Sequence, residues 1–234
     1  RLTAAPIIID SNRAAGAARA AADGADCLVM DDGFQHLPLR RQLDIVMIDA
    51  TCPFGYDRVL PAGLLREPLE SLRYADVVVI SRCDHIDRRQ LALLRRRLEA
   101  IAPQALVAES VMKPLDVAAL RGDPEPVEML RGRPVWAFCG LGNPDAFFDA
   151  LEALGARVVG HTAFNDHHDY SSYDIEFLNA QAHRAHASLV TTAKDAIKLD
   201  RLDRVGPVRF LRIELQLLTA RELLRQRLLQ TVCP

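Results

Sequence analysis

Short apolar runs alternate along the chain with stretches of helical periodicity. The apolar runs predict strands at 6–10, 27–30, 44–49, 77–80, 106–111, 135–139, 157–161, 189–192 and 208–213. Helical segments, several of them preceded by a capping residue, lie between most of these runs. Strands that alternate with helices through short links pair in parallel with right-handed crossovers. The pattern therefore predicts an α/β protein built on a parallel sheet.

Composition changes part-way along the chain. Residues 113–133 contain turn-forming combinations, such as Gly122-Asp123-Pro124, and lack the periodicity of a strand or a helix. A chain of 234 residues is long enough for one or two domains. We therefore predict a core domain over 1–112, a linker over 113–133 and a smaller C-terminal α/β domain over 134–234.

Charge and cysteine content exclude several classes of protein. The 29 basic and 31 acidic residues give a formal net charge of -2, so no overall positive field attracts nucleic acid. The five cysteines are scattered and form no Cys-x-x-Cys pair, which argues against a zinc knuckle or a disulfide framework. No apolar run approaches the roughly 20 residues of a membrane span.

The first candidate site is Asp31-Asp32-Gly33-Phe34-Gln35-His36, directly after the apolar run 27–30. Ligands of open α/β sheets bind beyond the carboxyl ends of the strands. An apolar strand followed by Asp is also the arrangement in which phosphoryl-transfer enzymes hold magnesium. His36 lies close enough in the chain to support such a site. The alternative is that the two acids only cap a turn before Gly33.

A second candidate lies at the end of the long Pro- and Gly-rich loop 50–68. Loops of this length without periodicity are often functional. Arg66 and Glu67 place a side chain suited to phosphate next to one suited to a metal ion. The alternative is a surface ion pair before a proline.

Titratable residues also cluster in the second half, in Phe164-Asn165-Asp166-His167-His168-Asp169-Tyr170. An Asp beside two His residues can bind a metal ion, orient a catalytic imidazole or be structural. Lys194 opens a helix directly after the strand 189–192. From there it can reach a phosphate or a base of a cofactor, or pair with Asp195.

Five segments, taken in this order, resemble the tetraacyldisaccharide 4'-kinase family of lipid A biosynthesis. They are Asp31-Asp32-Gly33-Phe34-Gln35-His36, Leu60-Pro61-Ala62-Gly63 with Leu65-Arg66-Glu67-Pro68, Gly142-Asn143-Pro144 with Phe147-Phe148, Phe164 to Tyr170, and Thr191-Thr192-Ala193-Lys194-Asp195-Ala196. Each segment alone is a weak signal, but the ordered set spans nearly the whole chain. The first two segments are the most diagnostic.

The resemblance implies a P-loop-kinase-like parallel sheet and a lipid kinase at the cytoplasmic face of the Gram-negative inner membrane. Such an enzyme transfers the γ-phosphate of ATP to the 4'-hydroxyl of a lipid A disaccharide 1-phosphate and requires Mg²⁺. The same resemblance gives the residues their roles: Asp32 and Glu67 as magnesium ligands, Asp31 and His36 in support of that site, Arg66 and Arg13 as phosphate contacts, and His167 as the active-site histidine.

The sequence also departs from the family pattern. A P-loop of the Walker A type needs Gly-Lys followed by Ser or Thr, and no Gly-Lys pair occurs here. Ala193 stands where the family usually has Glu, and the chain begins at Arg1. The expectation is a kinase without its first segment, with weak ATP binding and little or no activity in this form.

Two other functions remain open at this level. One is a catalytically dead α/β protein that binds a nucleotide or a glycolipid. The other is a metal-dependent hydrolase that uses Asp31, Asp32, His167 and His168.

Overall fold

The computed structural model describes residues 5–120, 122–202 and 205–232. The helices are α1 (Arg13–Ala22), α2 (Arg88–Ile101), α3 (Asp145–Ala153), α4 (Ser172–Arg184), α5 (Ala193–Leu199) and α6 (Arg221–Val232). The strands are β1 (Ile45–Asp49), β2 (Val77–Ser81), β3 (Leu106–Ala119), β4 (Pro124–Glu125), β5 (Pro134–Cys139), β6 (Arg157–Ala163), β7 (Ser188–Thr192) and β8 (Val208–Leu217). Short 3-10 helices occupy Gly55–Asp57, Leu69–Tyr74, Cys83–His85 and Val127–Leu130.

The chain forms two compact units, and the first combines Arg1–Val111 with Gln216–Pro234. In this unit β1 pairs in parallel with β2, and β2 pairs in parallel with the first part of β3. Alternate side chains of β2 pack on opposite faces of the sheet. Val78 and Ile80 contact one apolar cluster that includes Leu98 of α2, and Val77 belongs to another that includes Leu224 of α6. Both faces of β2 are therefore covered.

The second unit is Met112–Leu215, with the strand order β3-β8-β7-β5-β6. The pairs β7–β8, β5–β7 and β5–β6 are parallel, whereas β4 is antiparallel to β3. Ala137 and Cys139 of β5 pack with Leu151 of α3. Phe138, which points to the opposite face, packs with Leu178 of α4. The α/β class with a mostly parallel sheet is thus confirmed.

Two of the predicted strands are wrong. Residues 6–10 and 27–30 form no strand, and the apolar side chains Ile9 and Val29 are 90% and 95% exposed. No strand in the described part of the chain pairs with either run. Apolar and β-branched composition favours extended backbone, but a strand forms only where a neighbouring backbone supplies its hydrogen bonds.

The division into units also differs from a simple split along the sequence. The sequence predicts a linker over 113–133, but in the structure this stretch carries most of the second part of β3, β4 and a 3-10 helix. Helix α6, at the end of the chain, belongs to the first unit. Arg227 of α6 donates to the backbone carbonyl of Asp76 at 2.6 Å within that unit.

Cys27, Cys52, Cys83 and Cys139 are free thiols, and Cys233 lies outside the described residues. Among the described helices, none combines the length and apolar character that crossing a membrane requires.

Replacement of Gly160 should destabilise the second unit. A Cβ at this position would lie 2.3 Å from the ring of Trp136 on the paired strand β5. We expect Gly160→Ala to lower the free energy of unfolding by about 1–3 kcal/mol, because the indole must move out of a packed position. Trp136 is the only tryptophan of the chain, so its fluorescence reports both the local change and the denaturant midpoint.

Gly142→Ala is the matched control, since a Cβ there would come no closer than 3.6 Å to Asp166. Equal unfolding midpoints for the two variants would contradict the packing argument.

Candidate functional site

The first unit contains an open cavity of about 350 Å3 with a mainly polar wall. It is lined by Arg13, Asp32, Gln35, His36 and Arg66. Four of these five residues are site residues predicted from the sequence, and they come from three separate segments. Gln35 is the one that sequence reasoning did not single out, although it lies inside the first motif.

Arg13 is placed by the start of helix α1. The side chain of Asn12 caps this helix by accepting hydrogen bonds from the backbone N–H groups of Ala14 and Ala15, both at 3.1 Å. Arg13 is the first helical residue, and its Nη1 donates to the backbone carbonyl of Asp32 at 2.9 Å. The cap therefore fixes the direction in which the guanidinium leaves the helix.

Asp32 and Arg66 form an ion pair across the cavity, with Arg66 Nη1 donating to Asp32 Oδ2. Both side chains are more than half exposed, at 58% for Asp32 and 62% for Arg66. Asp32 has a φ of 50°, in the left-handed region that Asp tolerates better than most residues. Gly33 suits the next position, because a Cβ there would lie 2.5 Å from the Met30 sulfur and would displace that side chain.

Arg41 holds the segment that carries His36. Its guanidinium donates to the backbone carbonyl oxygens of His36 at 2.6 Å and Phe34 at 3.3 Å, and it pairs with Asp44. The buried Nε2 of His36 has no hydrogen-bond partner among the described residues. An unpartnered buried nitrogen next to a cavity is the kind of group that a bound ligand or water satisfies.

Arg66 is held by the folded loop 50–68. Gly63 allows the loop to pack on itself, since a Cβ there would lie 2.1 Å from a backbone carbonyl oxygen. The loop is anchored by Phe54, which is buried and lies 4.2 Å from the guanidinium of Arg97 in helix α2. The absence of periodicity in this loop reflects internal hydrogen bonding rather than disorder.

Asp31 and Glu67 are not among the residues that line the cavity. The side chain of Asp31 is exposed and that of Glu67 is partly exposed. Neither forms a hydrogen bond or an ion pair with another residue in the described part of the chain. They adjoin Asp32 and Arg66 in sequence, but in this conformation they do not share the cavity.

The second unit carries its own polar cluster, formed by Asp166, His167 and Lys194. Lys194 Nζ lies 3.4 Å from Asp166 Oδ1, and His167 Nε2 lies 3.8 Å from Asp166 Oδ2. The sequence offered the Asp beside the two His residues as a metal ligand or as a group that orients an imidazole, and in the structure Asp166 lies between His167 and Lys194. Lys194 pairs with Asp166, so its alternative partner Asp195 is not the one observed.

The surroundings of Asp166 favour its ionised form. Desolvation by itself raises the pKa of this carboxyl, but the hydrogen bond from Lys194 and the positive charges of His167 and Lys194 outweigh it. The pKa of Asp166 therefore lies below its usual value. Since the carboxyl is solvent-exposed, this bears on charge at the cluster more than on stability.

His168 differs from His167 because several side chains pack against its ring. Its ring stacks on Phe164 with centroids 4.5 Å apart and meets Tyr170 edge-on at 5.0 Å. Its Nε2 lies 3.2 Å from Asp174 Oδ2, and Asp174 forms the capping box of α4 with Ser171. His168 is thus built into the fold, whereas the side chain of His167 is 73% exposed.

Comparison with known proteins identifies the family. The family model for LpxK, tetraacyldisaccharide-1-P 4'-kinase, matches residues 1–233. The chain belongs to the tetraacyldisaccharide-1-P 4'-kinase family. The resemblance found in the sequence motifs is therefore confirmed.

Individual members of this kinase family are similar to the chain in sequence. The tetraacyldisaccharide 4'-kinase of Halothermothrix orenii is 41% identical over 210 residues, which cover 85% of this chain and 55% of that protein. The kinase of the same name from Anaeromyxobacter sp. strain Fw109-5 is 43% identical over 205 residues, or 85% of this chain and 54% of that protein. The chain thus spans about half the length of the curated relatives it matches.

A solved structure of the kinase family has the same fold. The "apo" form of LpxK from Aquifex aeolicus, in a crystal structure in complex with ATP, aligns with a TM-score of 0.62 at 28% identity. The alignment covers 86% of this chain and 56% of that one.

The first-unit cavity fits a magnesium–phosphate ligand in its donor types. Mg²⁺ in kinases is held by one or two carboxylates together with phosphate oxygens, so it does not need an all-protein cage. Asp32 offers a carboxylate, Arg13 and Arg66 offer positive charge for phosphate, and His36 offers an unpartnered nitrogen. Among the residues described, no group of three or more His, Cys, Asp or Glu side chains is arranged to hold a metal ion by itself.

Removal of Lys194 should raise the pKa of Asp166. In Lys194→Met the carboxyl loses its hydrogen-bond donor and a positive charge, so its ionised form is less favoured. In the wild-type protein the pKa of Asp166 is lower in the folded state than in the unfolded state, so the ionised carboxyl stabilises the fold at pH values above its unfolded-state pKa. This contribution is lost as the pH falls through the folded-state pKa. Carboxyl ¹³C NMR titration of Asp166 measures the change directly.

Lys113→Met removes the same charge from an exposed position elsewhere in the chain and should leave the Asp166 titration unchanged. A Lys194→Met curve that overlays the wild-type curve would show that the ion pair does not form in solution.

Proposed function

We propose that this chain acts as, or within, a lipid kinase that transfers the γ-phosphate of ATP to the 4'-hydroxyl of a tetraacyldisaccharide 1-phosphate in lipid A biosynthesis. The family membership of residues 1–233 is the observation that carries the proposal. Support also comes from the related crystal structure, which is described as a complex with ATP. The first-unit cavity would bind the nucleotide phosphates.

The charges of the cavity suit phosphoryl transfer. The transferred group carries negative charge on its oxygens, and catalysis consists mainly of positioning and neutralising that charge. Arg13 and Arg66 would contact phosphate oxygens, and the carboxylate of Asp32, with Glu67, would hold Mg²⁺. When bound, that ion would neutralise part of the negative charge of the phosphate groups. Asp31 and His36 would orient this set.

The Asp32–Arg66 pair is weak enough to change partners. Exposed ion pairs contribute about 0–1 kcal/mol, because water screens the attraction and two long side chains lose freedom. A phosphate group with several negative oxygens attracts Arg66 more strongly than one carboxylate does. Arg66 would therefore turn to the phosphate and leave Asp32 free for a cation.

The cluster of Asp166, His167 and Lys194 in the second unit would bind and deprotonate the acceptor hydroxyl. His167 is exposed and lies 3.8 Å from Asp166, and it would accept the proton of the acceptor hydroxyl. Lys194, on the other side of Asp166, would contact an anionic group of a bound ligand. The acceptor would reach this cluster from the cytoplasmic face of the bacterial inner membrane, where the protein would bind peripherally.

The test is magnesium-dependent transfer of labelled γ-phosphate from ATP to a lipid A disaccharide 1-phosphate. This chain is assayed beside the same chain extended on its N-terminal side to the start of its reading frame, with Asp32→Ala in each. In the form that transfers phosphate, Asp32→Ala should lower the rate by roughly 100-fold or more, because a charge-stabilising ligand is lost. Asp26→Ala removes an exposed acid in the same region and should have little effect.

Absence of transfer in both wild-type forms would refute the kinase proposal. The lack of a Gly-Lys pair in these 234 residues would then favour a protein that binds a nucleotide or glycolipid without turnover. Isothermal titration with ATP and with the disaccharide 1-phosphate would test that second function.

A further inference from the structure

Asp195 is a fully buried carboxylate in the second unit, with 0% of its surface exposed. It lies in the first turn of α5, where it and Thr192 satisfy each other: the backbone N–H of Asp195 donates to the Thr192 hydroxyl, and that hydroxyl donates to Asp195 Oδ2 at 2.8 Å. A buried charge is costly unless it is paired and hydrogen-bonded. A helix cap needs no charge, so the carboxylate calls for a further explanation.

The remaining contacts of Asp195 lead towards the segment 165–168. Oδ2 also accepts a hydrogen bond from the backbone N–H of Gly140, at 3.1 Å, where β5 has just ended. Oδ1 lies 3.5 Å from Lys198 Nζ. Lys198 in turn donates to the backbone carbonyl of His168 at 2.9 Å. Oδ1 accepts no hydrogen bond in the described part of the chain, so its contact with Lys198 is an ion pair alone. The lysine thus lies between the carboxylate and the backbone of the histidine segment, with the Tyr170 ring centroid 5.9 Å from its Nζ.

Space around Gly140 shows how closely these parts meet. A Cβ added there would lie 3.2 Å from the carbonyl oxygen of Asn165, 3.3 Å from Asp195 Oδ1 and 3.3 Å from His168 Cβ. The end of β5, the start of α5 and the histidine segment therefore pack closely, and an added carbon atom would require its neighbours to shift by a few tenths of an ångström.

His167 depends on this support because its backbone is unfavourable by itself. Its φ is 61°, in the left-handed region that residues other than glycine adopt uncommonly, with Asn, Asp and His adopting it more often than the rest. Such a conformation persists where the surrounding structure holds it on both sides. His168 supplies the hold on one side, through the hydrogen bond of its backbone N–H to Asn165 and through its carbonyl to Lys198.

We propose that Asp195 and Lys198 are positioning residues: through the buried Asp195–Lys198 ion pair and the hydrogen bond from Lys198 to the His168 carbonyl, they hold segment 165–168 so that Asp166 and His167 face outwards in a fixed geometry. This inference rests on the proposed function only for the catalytic use of His167. The same helix, α5, then serves two purposes, since Lys194 contacts Asp166 and Lys198 anchors the backbone two residues further on.

The alternative is that the network only stabilises the core. Two features argue for a directed role. First, Lys198 donates its hydrogen bond to the backbone of segment 165–168. Second, the Lys198 side chain is 19% exposed, and if this position only stabilised the core, an apolar residue could do so without the cost of burying a charge. The two explanations differ in whether a substitution of Asp195 or Lys198 affects segment 165–168 more than the rest of the unit.

Asp195→Asn and Lys198→Gln are the test variants, and Lys198→Arg is the conservative partner. An asparagine can still accept from Gly140 and Thr192, so the cap is kept while the charge that orients Lys198 is lost. Lys198→Arg keeps a positive donor for the His168 carbonyl. Asp200→Asn, at the exposed end of the same helix, is the control for the loss of one negative charge.

The first measurement is amide hydrogen exchange of the chain, followed peptide by peptide. We expect exchange in 165–168 to become roughly tenfold faster in Asp195→Asn and Lys198→Gln, with β5 and β7 unchanged, and to stay near wild type in Lys198→Arg and Asp200→Asn. If exchange rises equally across the whole unit, or does not rise at 165–168, the positioning role is wrong.

The second measurement is the kinase assay of the active form. Misplaced catalytic groups lower the chemical rate, so we expect kcat to fall roughly 10- to 100-fold in Asp195→Asn and Lys198→Gln, with the KM for ATP unchanged. Lys198→Arg should recover most of kcat. If kcat falls only in proportion to the fraction of the protein that is no longer folded, the proposal is overturned.

The two measurements separate the two hypotheses. If the wild-type protein transfers no phosphate, the proposed function fails, while the exchange pattern still decides whether Asp195 and Lys198 hold the segment.

Discussion

One interior strand of each unit is buried on both faces, and this constraint restricts where polar side chains can lie. Val78 and Ile80 of β2 are fully buried, as are Ala137 and Phe138 of β5. A charged side chain inside such a strand would lose its hydration without gaining partners. Charged and hydrogen-bonding groups therefore collect where the strands end, at turns and helix starts that offer free backbone N–H groups. The buried Asp195 follows this rule, since its partners are a strand-end amide, a cap hydroxyl and a lysine one turn further on.

The two units use ion pairs of different energetic character. The Asp32–Arg66 pair is exposed and contributes about 0–1 kcal/mol, so a ligand can replace either partner at small cost. In the Asp195–Lys198 pair the carboxylate is fully covered and the lysine side chain is 19% exposed, so water and salt screen this attraction much less. An exposed pair suits a binding site that must rearrange around phosphate. A buried pair suits a support that must not move.

Local sequence signals predicted the parts of the fold that depend on local physics. The strand at 44–49 and the Asp87–Gln90 capping box are both present, since alternating burial and cap chemistry are encoded within a few residues. The strand expected at 27–30 is absent, because strand formation depends on a distant partner that composition cannot reveal. The same limit applies to the candidate site. Sequence placed Lys194 and Asp195 side by side as possible partners, but only the tertiary fold brings Lys194 to Asp166.

Each of the two candidate clusters contains one residue with a left-handed backbone conformation. Asp32 and His167 both have φ in the left-handed region, at 50° and 61°. This feature alone marks no site, since Tyr56, Arg82 and Ala220 share it without joining either cluster. An ion pair does not distinguish a site either, since Arg82 pairs with Asp49 and Asp57, which also has positive φ, pairs with Arg97. What distinguishes Asp32 is the cavity that it lines, and what distinguishes His167 is the cluster that it forms with Asp166 and Lys194. Unfavourable backbone of this kind persists only when neighbouring groups fix it. Gly33 with Arg13 does so at Asp32, and the anchored His168 does so at His167. The rigidity of each cluster is therefore set by residues behind it, which need not touch a substrate to determine where the reactive groups lie.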